Sequence, residues 1–211
     1  MDPDLAALRR EYGGASSSLD EAEDPTALFV RWFADVRAAE VDEPNAMVLS
    51  TVGPTGPSSR TVLLKGLDER GFSFFTNHDS RKGHELAGSP RCALLFGWYA
   101  LHRQVRVEGA AQMLPRDEVE EYFAQRPRGA QLGAWASRQS STVTDRAELE
   151  AAFAAAEKRF EGLVIPPPPT WGGYVVDPDV IEFWQGRENR LHDRLLFARV
   201  EGGWTRRRLA P

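Results

Sequence analysis

The chain has 211 residues, 42% hydrophobic, 27% charged and 10% aromatic, the make-up of an ordinary globular protein with enough apolar material for a core. A formal net charge of −5 argues against a nucleic-acid binder, which carries a basic surplus, but leaves room for a local basic pocket. No run reaches the roughly eighteen apolar residues of a membrane helix and the N-terminus lacks an apolar signal core, so the expectation is a soluble, cytoplasmic protein with no membrane partner. The single cysteine, Cys92, excludes an intramolecular disulfide, and inside "CALLF" it reads as a buried, inert thiol.

Residues 1–23 are polar and rich in small side chains, which predicts a flexible N-terminal segment ahead of one domain over residues 24–211. A helix starts at Asp24-Pro25, a cap followed by proline at the first helical position. Leu28, Phe29, Trp32, Phe33 and Val36 form its apolar stripe. The period then changes to strands: "AMVLSTV" (46–52), "SSRTVLLKGL" with its core at 59–67, and "FSFFTN" (72–77), separated by the turn formers "GPTGP" and "DERG". "RCALLFGWY" and "RQVRVEGAAQML" are two more strands. "PRDEVEEYFAQRP" reads as a helix, "RGAQLGAWAS" as short helix or irregular chain, and "TDRAELEAAFAAAEKRF" as a third helix with Leu149, Phe153, Ala156 and Phe160 on one face. Pro166–Pro169 reads as a stiff connector. Two strand pairs close the chain, "GGYVV" with "VIEFWQ" and "LLFARV" with "WTRRRL". Strands follow strands more often than helices, so the fold class is mainly β (α+β), an antiparallel barrel or sandwich of about seven strands with peripheral helices.

Several signatures are missing: no dinucleotide-binding glycine pattern, no P-loop, no His-Glu-x-x-His and no nucleophile elbow. The four histidines show no metal-ligand spacing with each other or with the cysteine, so no metal site is expected. What remains is a scatter of cations and amides, each with two readings. Arg60 and Lys65, five apart in one strand, point to opposite faces if the strand is regular; they edge the strand or serve two anions. Ser80, Arg81 and Lys82 stand where a strand hands over to a helix, either as a cap with solvated cations or as a phosphate site. Tyr122 and Arg126 share a helical face, as core with a snorkelling arginine or as a clamp on a phosphate monoester. Gln104 lies on the face opposite Val105 and Val107, and Gln139 and Ser140 form a polar loop. In "FWQGRENRLHDR" (183–194) three arginines, a tryptophan and the last histidine gather in an otherwise acidic chain.

Taken together and in order, "RTVLLKG", "FFTNHDSRKGHELA", "LLFGWYALHRQVRVEG", "YFAQRPRGAQLGAWASRQS", "WGGYVV", "IEFWQGRENRLHDR" and the final "RRLAP" closely resemble the pyridoxamine 5′-phosphate oxidase family, from Arg9 to Pro211. The resemblance implies an antiparallel split β-barrel of the FMN-binding type, acting as a homodimer with FMN at the subunit interface. It implies oxidation of pyridoxamine 5′-phosphate or pyridoxine 5′-phosphate to pyridoxal 5′-phosphate, with dioxygen reduced to hydrogen peroxide. By matching motif, Arg60, Thr61, Val62, Leu63, Leu64 and Lys65, with Phe75, Thr76, Arg81 and Lys82, form the FMN cradle, Arg81 and Lys82 meeting its phosphate. Gln104, Gln139, Ser140, Trp184 and Arg194 supply further flavin contacts. Lys65, Tyr122 and Arg126 hold the substrate phosphate, while Arg190, Leu191 and His192 hold the pyridine ring against the flavin, with Arg190 and His192 in the catalytic roles. Arg9, Arg10, Glu11 and Tyr12 cover the bound substrate, and Arg187 reads as solvated.

The sequence departs from the family pattern in three places. Ala130 stands where a serine usually helps to bind the substrate phosphate, Phe75 where tyrosine is common, and His102 where glutamate is usual. The alternatives are a split-barrel flavin oxidoreductase with another substrate, such as a phenazine-pathway oxidase or a deazaflavin-dependent reductase, and a non-catalytic carrier of FMN or pyridoxal phosphate.

Overall fold

The computed structural model describes Tyr12, Leu19 and residues 22–211. The expectations for Arg9, Arg10 and Glu11, and for most of segment 1–23, lie outside the described residues.

Helix α1 (Pro25–Ala38) begins where the sequence places it. Asp24 accepts the Ala27 N–H at 2.7 Å, and Pro25 sits where an absent N–H leaves no bond unmade. Leu28, Phe29, Trp32 and Val36 are buried. Five helices are assigned among the described residues, the others being α2 (Arg81–Gly88), α3 (Arg116–Ala124), α4 (Arg128–Ala136) and α5 (Arg146–Arg159). On α5 only part of the expected face is covered: Ala156 and Phe160 are buried, but Leu149 is 40% exposed.

Among the described residues nine strands form one sheet rather than about seven: β1 (Ala46–Gly53), β2 (Gly56–Leu63), β3 (Gly66–Asp68), β4 (Gly71–Asn77), β5 (Arg91–Trp98), β6 (Arg103–Met113), β7 (Trp171–Gln185), β8 (Asp193–Val200) and β9 (Gly203–Leu209). The order is β2-β1-β5-β6-β7-β4-β3, with β8 pairing β7 and β9 pairing β8. The antiparallel sheet with helices around it is the expected class. On β6 the alternation holds, Val105 and Val107 being buried and Gln104 and Arg106 lying on the other face.

Two strand expectations are corrected. "SSRTVLLKGL" is not one strand: β2 ends at Leu63, Leu64 turns inward, and the Lys65 N–H bonds Ser73 O at 2.8 Å as the chain enters β3. "GGYVV" and "VIEFWQ" are not a pair but one 15-residue strand, β7. Trp171–Val176 pair with β4 and Val180–Gln185 pair with β8, so β7 changes partner without turning. Pro178, which has no N–H to donate, falls in the changeover, where neither ladder needs one.

The chain divides into two compact units. Among the described residues, one comprises Tyr12, Leu19, 22–47, 94–108 and 178–211. Its core is aromatic: Phe29 meets Phe96 at 5.0 Å between centroids, and Trp32 stands edge-on to Phe183 at 5.3 Å. The other comprises residues 48–93 and 109–177, with Leu114, Val119, Phe123, Leu132, Phe160, Trp171 and Val175 in its core.

Candidate active site

In the second unit the site grows from the start of α2. Ser80 caps the helix, accepting from Gly83 N while its hydroxyl donates to Asn77 O at 2.6 Å. A Cβ on Gly83 would lie 1.9 Å from the His78 carbonyl oxygen, so only glycine lets the first turn settle this close to the preceding chain. The turn directs Lys82 inward, where it is 8% exposed. Its ammonium donates to Gln139 Oε1 at 2.8 Å, Thr76 Oγ1 at 3.1 Å and Ser80 Oγ at 3.2 Å, all neutral acceptors. Burial, and after it the Arg60 charge, pushes Lys82 down to about 8, with Glu85 opposing. A buried cation without a directly bonded carboxylate is a costly arrangement unless an anion arrives. Ser140, at φ 73°, takes the Arg81 backbone N–H on its hydroxyl at 3.1 Å, and so closes the polar loop onto the helix start.

Arg60, Thr61, Val62, Leu63, Lys65, Phe75 and Thr76 line one cavity of about 840 Å³, together with Arg81, Lys82, Gln139 and Ser140. Tyr122, Arg126 and Ala130 lie on the same wall system. That volume is within the range of about 300–1,000 Å³ usual for small-molecule sites. Arg60 and Lys65 therefore do not serve opposite faces: because β2 stops at Leu63, the two-residue period no longer governs Lys65. Leu64 is buried and is not part of the lining. Phe75 stacks on Tyr122 with ring centroids 3.9 Å apart and planes 9° off parallel.

Arg126 lies beyond the last residue of α3, yet reaches the same cavity as Tyr122. Its guanidinium sits 4.8 Å from the centre of the Trp171 ring, donates from Nη2 to Ala130 O at 3.1 Å, and is driven down in pKa by burial. Its buried Nε has no hydrogen-bond partner among the described residues. Lys82 and Arg126 are thus two under-compensated cations on one cavity, and aromatic planes lie nearby. This donor set fits a ligand that is flat and carries phosphate.

The first unit holds the other expected residues that are described. Tyr12 packs on His102 at 4.4 Å, with Trp184 at 6.0 Å and His192 at 5.7 Å. Trp184 and His192 lie 4.7 Å apart. Arg187 is not solvated as expected: its Nε bonds Asp193 at 2.6 Å, and its backbone N–H donates to His192 Nδ1 at 3.1 Å. Burial, then the charge of Arg190, lowers the pKa of His192. Asn189 and Arg190 both adopt positive φ, 55° and 62°, an uncommon backbone for a non-glycine pair. Arg190 and Leu191 are exposed, and Gln104 is half-buried. Arg194 is held by Glu182, its Nε donating at 2.7 Å, and by Ala210 O at 2.9 Å.

A model of the pyridoxamine 5′-phosphate oxidase family matches residues 33–160. The chain belongs to that family. A second model, the C-terminal dimerisation region of pyridoxine 5′-phosphate oxidase, matches residues 171–211 of this family member. A pyridoxine/pyridoxamine 5′-phosphate oxidase of a Nocardioides species is 62% identical, covering 99% of this chain and 98% of its own. One from Rubrobacter xylanophilus is 60% identical, covering 99% and 97%. Among solved structures, PhzG from Burkholderia lata, in complex with tetrahydrophenazine-1-carboxylic acid, superposes with a TM-score of 0.85 at 33% identity over 91% of this chain and 95% of its own. A pyridoxamine 5′-phosphate oxidase-related, FMN-binding protein from Nostoc punctiforme shares the fold, with a TM-score of 0.72 at 18% identity over 90% and 100%. The split-barrel fold expected from the sequence is thus that of the family.

Sequence reading missed Glu85, which stands behind the cavity. Its carboxylate accepts from Thr51 at 2.6 Å, Ser58 at 2.7 Å, Arg60 at 2.9 Å and Arg81 at 2.8 Å. The signal was present in part, since Arg81 and Glu85 are four apart in "RKGHE" and so share a helix face. Thr51 and Ser58 carried no such signal.

Proposed function

We propose that this protein is an FMN-dependent oxidase that converts pyridoxamine 5′-phosphate or pyridoxine 5′-phosphate to pyridoxal 5′-phosphate, working as a homodimer in vitamin B6 metabolism. The alcohol plus dioxygen gives the aldehyde and hydrogen peroxide; the amine requires one water besides and also releases ammonia. Bound FMN supplies the two-electron chemistry between substrate and dioxygen.

The observation that carries this reading is Lys82, a buried ammonium bonded only to neutral groups at a helix start, beside Arg81 and facing a cavity. That is the geometry of a phosphate site. Arg60, Thr61, Val62, Leu63, Thr76, Gln139 and Ser140 would surround the rest of the cofactor, with Gln104, Trp184 and Arg194 as its further contacts. Lys65, Tyr122 and Arg126 would take the substrate phosphate. Arg190 would face the reacting exocyclic carbon and stabilise the heteroatom as charge shifts. His192, accepting at Nδ1, presents an N–H at Nε2 and so orients the ring as a donor. Tyr12, with Arg9, Arg10 and Glu11, would close over the ring.

The test is the visible spectrum of the purified, FMN-loaded protein before and after pyridoxine 5′-phosphate is added without air. Bleaching of the flavin band, then recovery in air with formation of peroxide and pyridoxal 5′-phosphate, is expected. Failure to take up FMN overturns the reading. Turnover of tetrahydrophenazine-1-carboxylic acid, with none of either phosphorylated vitamin, moves the protein towards its PhzG relative.

A further inference from the structure

Glu85 poses a puzzle of sign. A carboxylate 6% exposed, next to a cavity that gathers Arg60, Arg81 and Lys82, ought to oppose an anionic ligand. Simple charge counting says the site would bind phosphate better without it.

The geometry says otherwise. Oε2 receives the Thr51 and Ser58 hydroxyls and Nη2 of Arg60, while Oε1 receives Nε of Arg81. Thr51 and Ser58 in turn accept from the two terminal nitrogens of Arg60, so both hydroxyls are locked between the acid and the arginine. Arg81 has a side chain 59% exposed, and this ion pair is what directs it along α2. Gly53 makes room for the acid: a Cβ there would lie 3.0 Å from both Cγ and Oε1 of Glu85. We infer that Glu85 is a positioning residue that holds Arg60 and Arg81 together, against their mutual repulsion, in the arrangement that receives the phosphate of the cofactor proposed above. The Thr51 hydrogen bond first, then those from Ser58, Arg81 and Arg60, outweigh burial and hold its carboxyl near 2, so it stays ionised throughout the working range. Its charge also offsets that of Arg60 at Lys82, keeping the ammonium protonated to higher pH. The inference rests on the FMN reading, and the experiment separates the two.

The experiment measures dissociation constants of FMN and of riboflavin, which lacks the phosphate, for the full-length apoprotein and its Glu85→Gln variant. An amide must turn an N–H toward donors on one side, so it cannot hold both arginines. Glu85→Gln should weaken FMN at least tenfold, leave riboflavin within twofold, and shift the loss of FMN affinity to lower pH. Gly53→Ala, which displaces the acid by a few tenths of an ångström, should lower the FMN-to-riboflavin preference in the same direction by a smaller factor, and it decides the matter if the first variant does not fold. Unchanged or tighter FMN binding in the folded variant would mean that charge outweighs position and overturns the proposal. Equal losses for FMN and riboflavin also overturn it, because they denote a general structural role. Wild-type protein with no preference for FMN over riboflavin removes the cofactor reading itself, and Glu85's role with it.

Discussion

The backbone N–H of Arg187 donates to Nδ1 of His192 at 3.1 Å, which fixes the tautomer of that ring: Nδ1 is the acceptor and Nε2 carries the proton. Burial and the Arg190 charge hold its pKa below the usual histidine value, so the neutral form persists on mild acidification. Glutamine places its amide near the position of Nε2. His192→Gln should therefore retain several-fold more kcat/KM than His192→Ala, and activity should fall on the acid side only below the ordinary histidine range. Nitrogen NMR of the ring at neutral pH checks the tautomer directly; a proton on Nδ1 would contradict it.

Lys82 gives a pH prediction with opposite signs for two forms of the protein. Its pKa in the folded apoprotein is about 8, against 10.5 for the free side chain. Between those values the unfolded chain binds the extra proton, so apoprotein stability should rise with pH across that window. FMN affinity should fall over the same window, as the ammonium proposed to meet the phosphate is lost. Denaturant melts of apoprotein and FMN titrations from pH 7 to pH 10 read both trends. Lys82→Met should cost FMN about 1.5–3 kcal/mol of binding, a hydrogen bond to a charged group, without lowering apoprotein stability.

Ala130 lines the cavity with a methyl group, and its carbonyl is already taken by Arg126. Ala130→Ser should add a hydroxyl donor toward the substrate phosphate and lower KM for pyridoxine 5′-phosphate roughly tenfold, the lower end of about 1.5–3 kcal/mol for such a bond. Little change in kcat is expected. A raised KM would show that the hydroxyl meets Arg126 rather than the phosphate.

Arg190 combines an exposed guanidinium with φ 62°. Arg190→Ala and Arg190→Gly should both depress turnover by at least two orders of magnitude while leaving the flavin absorbance of the holoprotein intact. Glycine tolerates this backbone and alanine does not, so the glycine variant should be the more stable by about 1 kcal/mol. Thermal melts separate the two effects. Loss of flavin in either variant would move Arg190 from the substrate to the cofactor.

Much of this was legible in the chain because it depends on local rules. The Asp24-Pro25 start, the alternation of β6 and the Ser80 cap each follow from a few adjacent residues. The cavity collects Arg60, Lys65, Arg81, Lys82, Tyr122, Arg126, Gln139 and Ser140, which local pattern alone left ambiguous, but not Leu64 or Gln104. What could not be read depends on distant partners. Arg60 and Lys65 share a cavity only because β2 ends early, which is set by how Lys65 meets Ser73. Arg187 looks like a surface cation until the chain brings Asp193 within 2.6 Å. Nothing near Pro178 in the sequence announces a strand that runs on through a proline, since the β4 ladder is formed by residues 72–77, far earlier in the chain.

That uninterrupted β7 makes the number of residues between Val176 and Val180 matter more than their identity. Side chains alternate along a strand, so deleting or inserting one residue in this link would leave Tyr174 in place but turn the whole segment from Val180 to Gln185 over. Phe183 would then face outward and Trp184 inward, taking a buried ring out of the core. A single-residue change of length there should abolish folding and activity together.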